Sequence, residues 1–232
     1  MSQRTVPSTF DVLATMIRVT LLRLFRGRAV WVCVGISFLP LIVAGALGSR
    51  HNIVEEFLSA VEMLVVVVLP PVFVASSIGE EIEDRTTTYL WSRPIPRWAV
   101  VVGKLVALAP IAIVHVLVGW FVSVQAAIGR PPSAESLIAF GGGALAISVM
   151  SAGIATLVPK QGMALAMLYL VLIDVPIGLV PASLQAISIT RQILVLAGFT
   201  SDPNKLAAAI SMTLLAGIWF AVGLLRLRRR ES

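Results

Sequence analysis

The chemistry-bearing residues of this chain are few. Asp174 is the only charged residue in the apolar stretch 163–180. It lies eleven residues past Met163, ~16 Å along a helix. A carboxylate at that depth in a membrane could face a substrate or ion in a polar path. It could equally cap amides freed by the helix break that Pro176 and Gly178 imply. His115, in the stretch 105–128, could be a ligand or a neutral, hydrogen-bonded packing group. The chain has 2 His, with no acidic cluster beside them, and 1 Cys, Cys33. That leaves neither a metal site nor a disulfide framework to expect. Gly-x-Ser-x-Gly and His-Glu-x-x-His are both missing. A phosphate loop is missing too: Leu105 follows Gly103-Lys104, and Trp98 stands where the first glycine is required.

The densest polar information is residues 79–98. Glu80, Glu81, Glu83 and Asp84 are followed by Arg85 and Thr86, then by the apolar patch Tyr89-Leu90-Trp91. Arg93-Pro94-Ile95-Pro96-Arg97 then turns the chain back, since proline removes a donor and restricts its predecessor. Two readings fit the aromatic patch. It could dock on a protein partner, or its rings could rest at a lipid interface.

The elements that must position these residues follow from composition. Of the 232 residues 58% are hydrophobic and 13% charged, with mean hydropathy +0.95; soluble domains carry ~25% charge. An ordinary cytosolic enzyme, a disordered chain and a disulfide-stapled domain are excluded. Runs free of Asp, Glu, Lys and Arg, Asp174 apart, cover residues 29–47, 63–78, 105–128, 137–158, 163–180 and 206–225. Crossing a ~30 Å hydrocarbon core takes ~20 such residues. The short run extends back through residues 57–61 if Glu62 sits near the interface. The first run starts too late and is too long for a cleaved signal peptide.

With the N-terminus in the cytoplasm, only Arg50, Arg130, Arg191 and Lys205 of the 18 Lys and Arg fall outside. The basic bias therefore predicts six spans with both ends inside, approximately 29–47, 57–78, 99–125, 137–158, 163–180 and 206–225. It also explains the pI near 10.4 without a nucleic-acid partner. Arg226–Arg230 reads as an anchor near anionic lipid. In residues 1–28, Phe10, Leu13, Ile17, Leu21 and Leu24 recur at helical spacing opposite Asp11, Thr15, Arg18 and Arg26. Ser8 and Asp11 suit an N-terminal cap, so an amphipathic helix in the cytoplasmic interface is expected. The semi-apolar segment 181–205 predicts a short re-entrant helix on the outer side. Pro70-Pro71 predicts a kink in the second span, as a hinge or as a static bend. Gly141, Gly143, Ala144, Ser148, Ala152 and Ala155 predict close helix packing, within the chain or with a second one.

The stretch 79–104 resembles the loop of ABC-2 type transporter permeases, the membrane subunits of one class of ABC transporter. Glu81, Glu83, Thr86, Ser92, Arg93, Pro94, Ile95, Arg97, Gly103 and Lys104 match that family's pattern in order. Arg85, Thr87 and Pro96 stand where the family usually has Gly, Leu and Ser. The resemblance implies an all-α polytopic fold of six transmembrane helices with an in-plane N-terminal helix. It implies a non-catalytic permease subunit, of an exporter, in the inner membrane of a prokaryote. Loop 79–98 would be a coupling helix on a separate ATPase subunit, with Glu80–Arg97 as the contact. This chain would bind no cofactor; ATP and Mg would sit on the partner. Two permease chains, identical or paralogous, and two ATPases would form the working unit in lipid. The competing classes are a mechanotransmission subunit that drives a periplasmic partner without moving solute, and an intramembrane lipid-modifying enzyme.

Overall fold

A bilayer offers no water to backbone amides, so a long apolar segment must close its hydrogen bonds on itself as a helix. The structure, a computed structural model, describes residues 9–27, 29–47, 51–83, 97–180, 183–202 and 204–229. Every regular element among the described residues is helical. Five stretches are long and apolar enough to cross a membrane: Glu55–Gly79, Trp98–Ile128, Ala134–Leu157, Pro159–Leu179 and Lys205–Leu227. A sixth apolar segment, Val30–Ala46, meets the preceding Phe10–Arg26 at 75°.

Helix α1 (Thr9–Arg26) carries that bend. Its Ile17, Leu21 and Leu24 pack on the core, and its Leu13 and Met16 lie against Gly103. Phe10 departs from the expected apolar face. It is 78% exposed, as are Val19, Leu22 and Phe25 to lesser degrees. The apolar surface of α1 thus continues past the face that meets protein, as suits a helix lying partly in lipid.

Helices α2 (Ala29–Ser37) and α3 (Leu39–Leu47) make up that sixth apolar segment, counted below as the first crossing; they are joined through Phe38, whose amide donates to Val34 O and whose carbonyl accepts from Ile42. The second is α4 (His51–Pro70), a π-helical turn (Pro71–Ala75) and α5 (Ser76–Glu83). The third and fourth are α6 (Arg97–Ile128) and α7 (Ala134–Leu157). Ser133 caps α7 by accepting from Ser136 N at 3.1 Å. The fifth is broken into α8 (Gly162–Tyr169), a π-helical turn (Leu170–Asp174) and α9 (Val175–Leu179). A 3-10 turn (Ser183–Ile187) and the short helix α10 (Ile189–Ala197) lead to the last crossing, α11 (Lys205–Arg229).

Helix α7 is the axis of the bundle. Its apolar window is 72% buried, against 28% for Pro159–Leu179 and 22% for Lys205–Leu227. It packs on α4, α6, α8, α10 and α11. Small residues make this possible, since lipid is as apolar as leucine and association depends on close approach. Gly153 lies against the backbone of Trp219 and Phe220, Gly143 against Ile193, and Gly223 against Gly153 and Thr156. The small-residue face of α7 is thus occupied within this chain.

Ion pairs Glu55–Arg130 at 2.9 Å and Glu135–Lys205 at 2.5 Å close one end of the bundle. The opposite end carries Arg23, Arg26, Lys104, Lys160, Arg226 and Arg229 and is called the basic end below.

A side chain at Gly153 must push α11 off α7. Gly153→Val is expected to cost ~1–3 kcal/mol, read as a lower thermal midpoint in detergent. Gly217→Ala, whose methyl meets nothing within 4 Å, is expected to stay within about 0.5 kcal/mol.

Candidate functional site

The loop that carries the motif is described at its roots. Asp84, Arg85, Thr86, Tyr89, Leu90, Trp91, Arg93 and Pro94 lie outside the described residues. Glu80, Glu81 and Glu83 fall on α5 and Arg97 opens α6, with the backbone alone described.

At those roots four parts of the chain converge at the basic end. Lys104, 3% exposed on α6, donates from Nζ to the carbonyl of Ser77 on α5. Gly79 stands so close to the turn Pro159–Gln161 (between α7 and α8) that a Cβ would come within 2.7 Å of Pro159 O. Gly103, beside Lys104, leaves room for α1, since a Cβ there would be 3.1 Å from Met16 Cβ. The two sides of the loop are therefore joined to each other, to the turn between the fourth and fifth crossings, and to α1.

Above this junction the second crossing passes through the prolines. Pro70 ends α4 and Pro71 begins the π-helical turn, which absorbs the missing donors by widening. The amide of Ser76 donates to Pro71 O, and its Oγ donates to Val72 O. The crossing stays continuous through Glu55–Gly79 instead of separating into two sharply angled pieces. Phe73 in this turn packs on His115, with ring centroids 5.3 Å apart. His115 Nδ1 is 2.8 Å from Ile111 O, so this ring nitrogen carries the proton and donates within α6.

Asp174 is elsewhere, at the end of the second π-helical turn, and 1% exposed. Its carboxylate accepts from Ile189 N at 2.8 Å, Thr190 N at 2.9 Å, Thr190 Oγ1 at 2.6 Å and Ser188 Oγ at 3.2 Å. The two amides are orphan donors at the start of α10. Ser188 also accepts from Arg191 N at 3.1 Å, completing the cap. Gly178 allows the approach, since a Cβ there would be 2.8 Å from Ser188 Oγ. Asp174 thus caps a helix fifteen residues further on rather than the break in its own. Asp174 and His115 contact different elements and do not share a site.

Glu62 lies within the second crossing, whose backward extension through residues 57–61 is conditional on an interfacial place for this acid. The structure places it inside the bundle at 0% exposure. Neither carboxyl oxygen has a hydrogen-bond partner among the described residues. A signal for this was present: Leu58, Glu62, Val65, Val66 and Leu69 share one helical face, and all are 0% exposed. Among the described residues there is no group of three or more His, Cys, Asp and Glu that could hold a metal ion.

Asp174→Asn keeps one acceptor oxygen and loses the charge that strengthens four hydrogen bonds. It is expected to cost ~1–3 kcal/mol and to speed amide exchange at Ile189 and Thr190. Unchanged exchange there would show that α10 does not depend on this cap.

Comparison with known proteins adds one finding. The family described as ABC-2 family transporter protein matches residues 16–187. No curated protein and no solved structure matches the chain. The match runs from within α1 to the end of the 3-10 turn before α10, and includes the motif loop and both of its roots. It spans well over half of the 232 residues. With its apolar helices and this match, the chain is a multi-pass membrane protein and belongs to the ABC-2 family of transporter proteins, as a permease subunit.

Proposed function

We propose that this chain is the permease of an ATP-driven exporter and that residues 79–98 dock on a separate ATPase subunit. Two copies of that ATPase and a second permease chain complete the unit. Both termini lie in the cytoplasm, and the membrane is the inner membrane of a prokaryote. ATP and Mg bind on the partner, and this chain performs no catalysis.

The junction at the loop roots carries this reading. A force applied to a surface loop reaches a membrane bundle only through stiff contacts. Lys104 and Ser77 link the two crossings that flank the loop, and Gly79 bears on Pro159. Closure of the ATPases would therefore displace the second and third crossings and the turn after α7 together. Tyr89, Leu90 and Trp91 supply the apolar anchors. Glu80, Glu81, Glu83 and Asp84 bias partner choice electrostatically, and Arg85, Thr86, Arg93, Pro94 and Arg97 complete the surface. The π-helical turn at Pro70-Pro71 is the flexing point, since such turns mark places where helix geometry is already relaxed. Asp174 serves by holding α10 in place, and His115 by packing on the hinge.

The test is recovery of this chain from its native membrane in mild detergent, with mass spectrometry of the bound proteins. A separate ATPase is expected at one to one, and it is expected to be lost on Tyr89→Asp, Leu90→Asp and Trp91→Asp combined. Recovery of the chain alone would overturn the reading. In the reconstituted complex, Pro70→Ala with Pro71→Ala is expected to leave ATP hydrolysis running while transport falls. Unchanged coupling would remove the hinge.

A further inference from the structure

Two carboxyl groups lie inside the bundle in opposite surroundings. Asp174 accepts four hydrogen bonds, so its ionised form is satisfied. Glu62 is equally buried and has none among the described residues. Its depth follows from the pairing of α4 with α6. Glu55 meets Arg130 at one end of this stretch and Phe73 meets His115 at the other. Glu62 lies between those contacts, seven residues past Glu55, or ~10 Å along the helix.

Among the described residues, the groups on the elements packed around it offer no countercharge. Helix α4 packs on α2, α3, α6 and α7. On these elements Cys33 is a buried thiol. Arg97 and Lys104 belong to the basic end, and Lys104 donates to Ser77 O. His115 is bonded to Ile111 O, and Glu135 pairs with Lys205 beyond the far end. On α4 itself Glu55 is held by Arg130. Ser59, one turn from Glu62, donates to Glu56 O, and Ser123 on α6 donates to Gly119 O.

An ionised carboxylate without donors or a countercharge is among the costliest groups to bury in an apolar bundle. A position that served packing alone would not need an acid. We propose that Glu62 is a proton-binding site of the bundle. One carboxylate oxygen takes a proton from water, which brings the group from −1 to neutral, and holds it while the helices are packed as here. When the helices part during transport and water enters, the same proton returns to water. No other bond forms or breaks. The site is independent of the ATPase docking surface.

Infrared spectroscopy of the chain in lipid nanodiscs at neutral pH tests this. The carbonyl band of a protonated carboxyl is expected, shifting in deuterated water and on labelling with carbon-13 glutamate. It is expected to disappear in Glu62→Gln. The isotope shift needs no variant, so the result stands even where Glu62→Gln fails to fold. No glutamate-derived band in the wild-type chain, or a band that Glu62→Gln retains, would overturn the assignment. In the complex with its ATPase, the pH profile of ATP hydrolysis is expected to lose one step in Glu62→Gln. Superimposable profiles would overturn the coupling of this proton to transport. Failure to recover an ATPase would leave the infrared result intact and would bear on the docking surface alone.

Discussion

The bundle depends on how closely its neighbours can approach α7. In lipid, burying one leucine against another gains little over leaving it among acyl chains, so contact area and backbone proximity must hold the helices. Gly143, Gly153 and Gly162 are the points where this chain achieves it. Ile193 occupies the space at Gly143, the α11 backbone occupies that at Gly153, and α7's own Ala155 faces Gly162 across the turn. The reciprocal contact of Gly223 with Gly153 and Thr156 fixes α11 against α7 over more than one turn. Helices on the outside, such as α11, can then present apolar side chains to lipid without loss. Leu206, Ile210, Leu214 and Ile218 form such a stripe at regular spacing.

A second constraint acts where the helices are interrupted. Each interruption frees backbone groups in a medium that cannot satisfy them. The chain answers in two ways. At Pro71 and again at Leu170 the helix widens into a π-helical turn and keeps its bonds internal. At the start of α10 the freed amides reach a carboxylate, that of Asp174. This one residue allows a short helix to sit against α7 below the end of the bundle. Trp120 secures the same region: its Nε1 donates to Ser136 Oγ at 3.0 Å while its ring packs on Phe140 and Phe199. Glu62 breaks the pattern, being a buried polar side chain among apolar neighbours on its own helical face.

The basic end follows the same logic for a different purpose. Lys104 on Ser77, Gly79 on Pro159 and Gly103 on α1 gather four parts of the chain at the base of one loop. Such a junction suits transmission because its contacts are short and partly backbone to backbone, and close-packed interiors pass displacement on instead of absorbing it. The permease role follows from the family; the junction gives that role a route from loop to bundle.

The sequence by itself determined the helical class, the succession of apolar segments, the basic bias and the family of the chain. These are local or averaged properties: composition, a period of 3.6 residues and a motif of contiguous residues. They survive any arrangement of the helices. It also carried the helical spacing of Leu58, Glu62, Val65, Val66 and Leu69, but that spacing does not say whether the stripe faces protein or lipid. Only the tertiary structure decided which groups meet. Asp174 could have capped its own break, and its true partners are fifteen and sixteen residues away. Lys104 stands in the motif by sequence, but its partner is the carbonyl of Ser77, 27 residues earlier. Such pairings depend on the rotation and sliding of one helix against another. Those are fixed by the fit of small residues across the whole interface, and no short stretch of sequence records them.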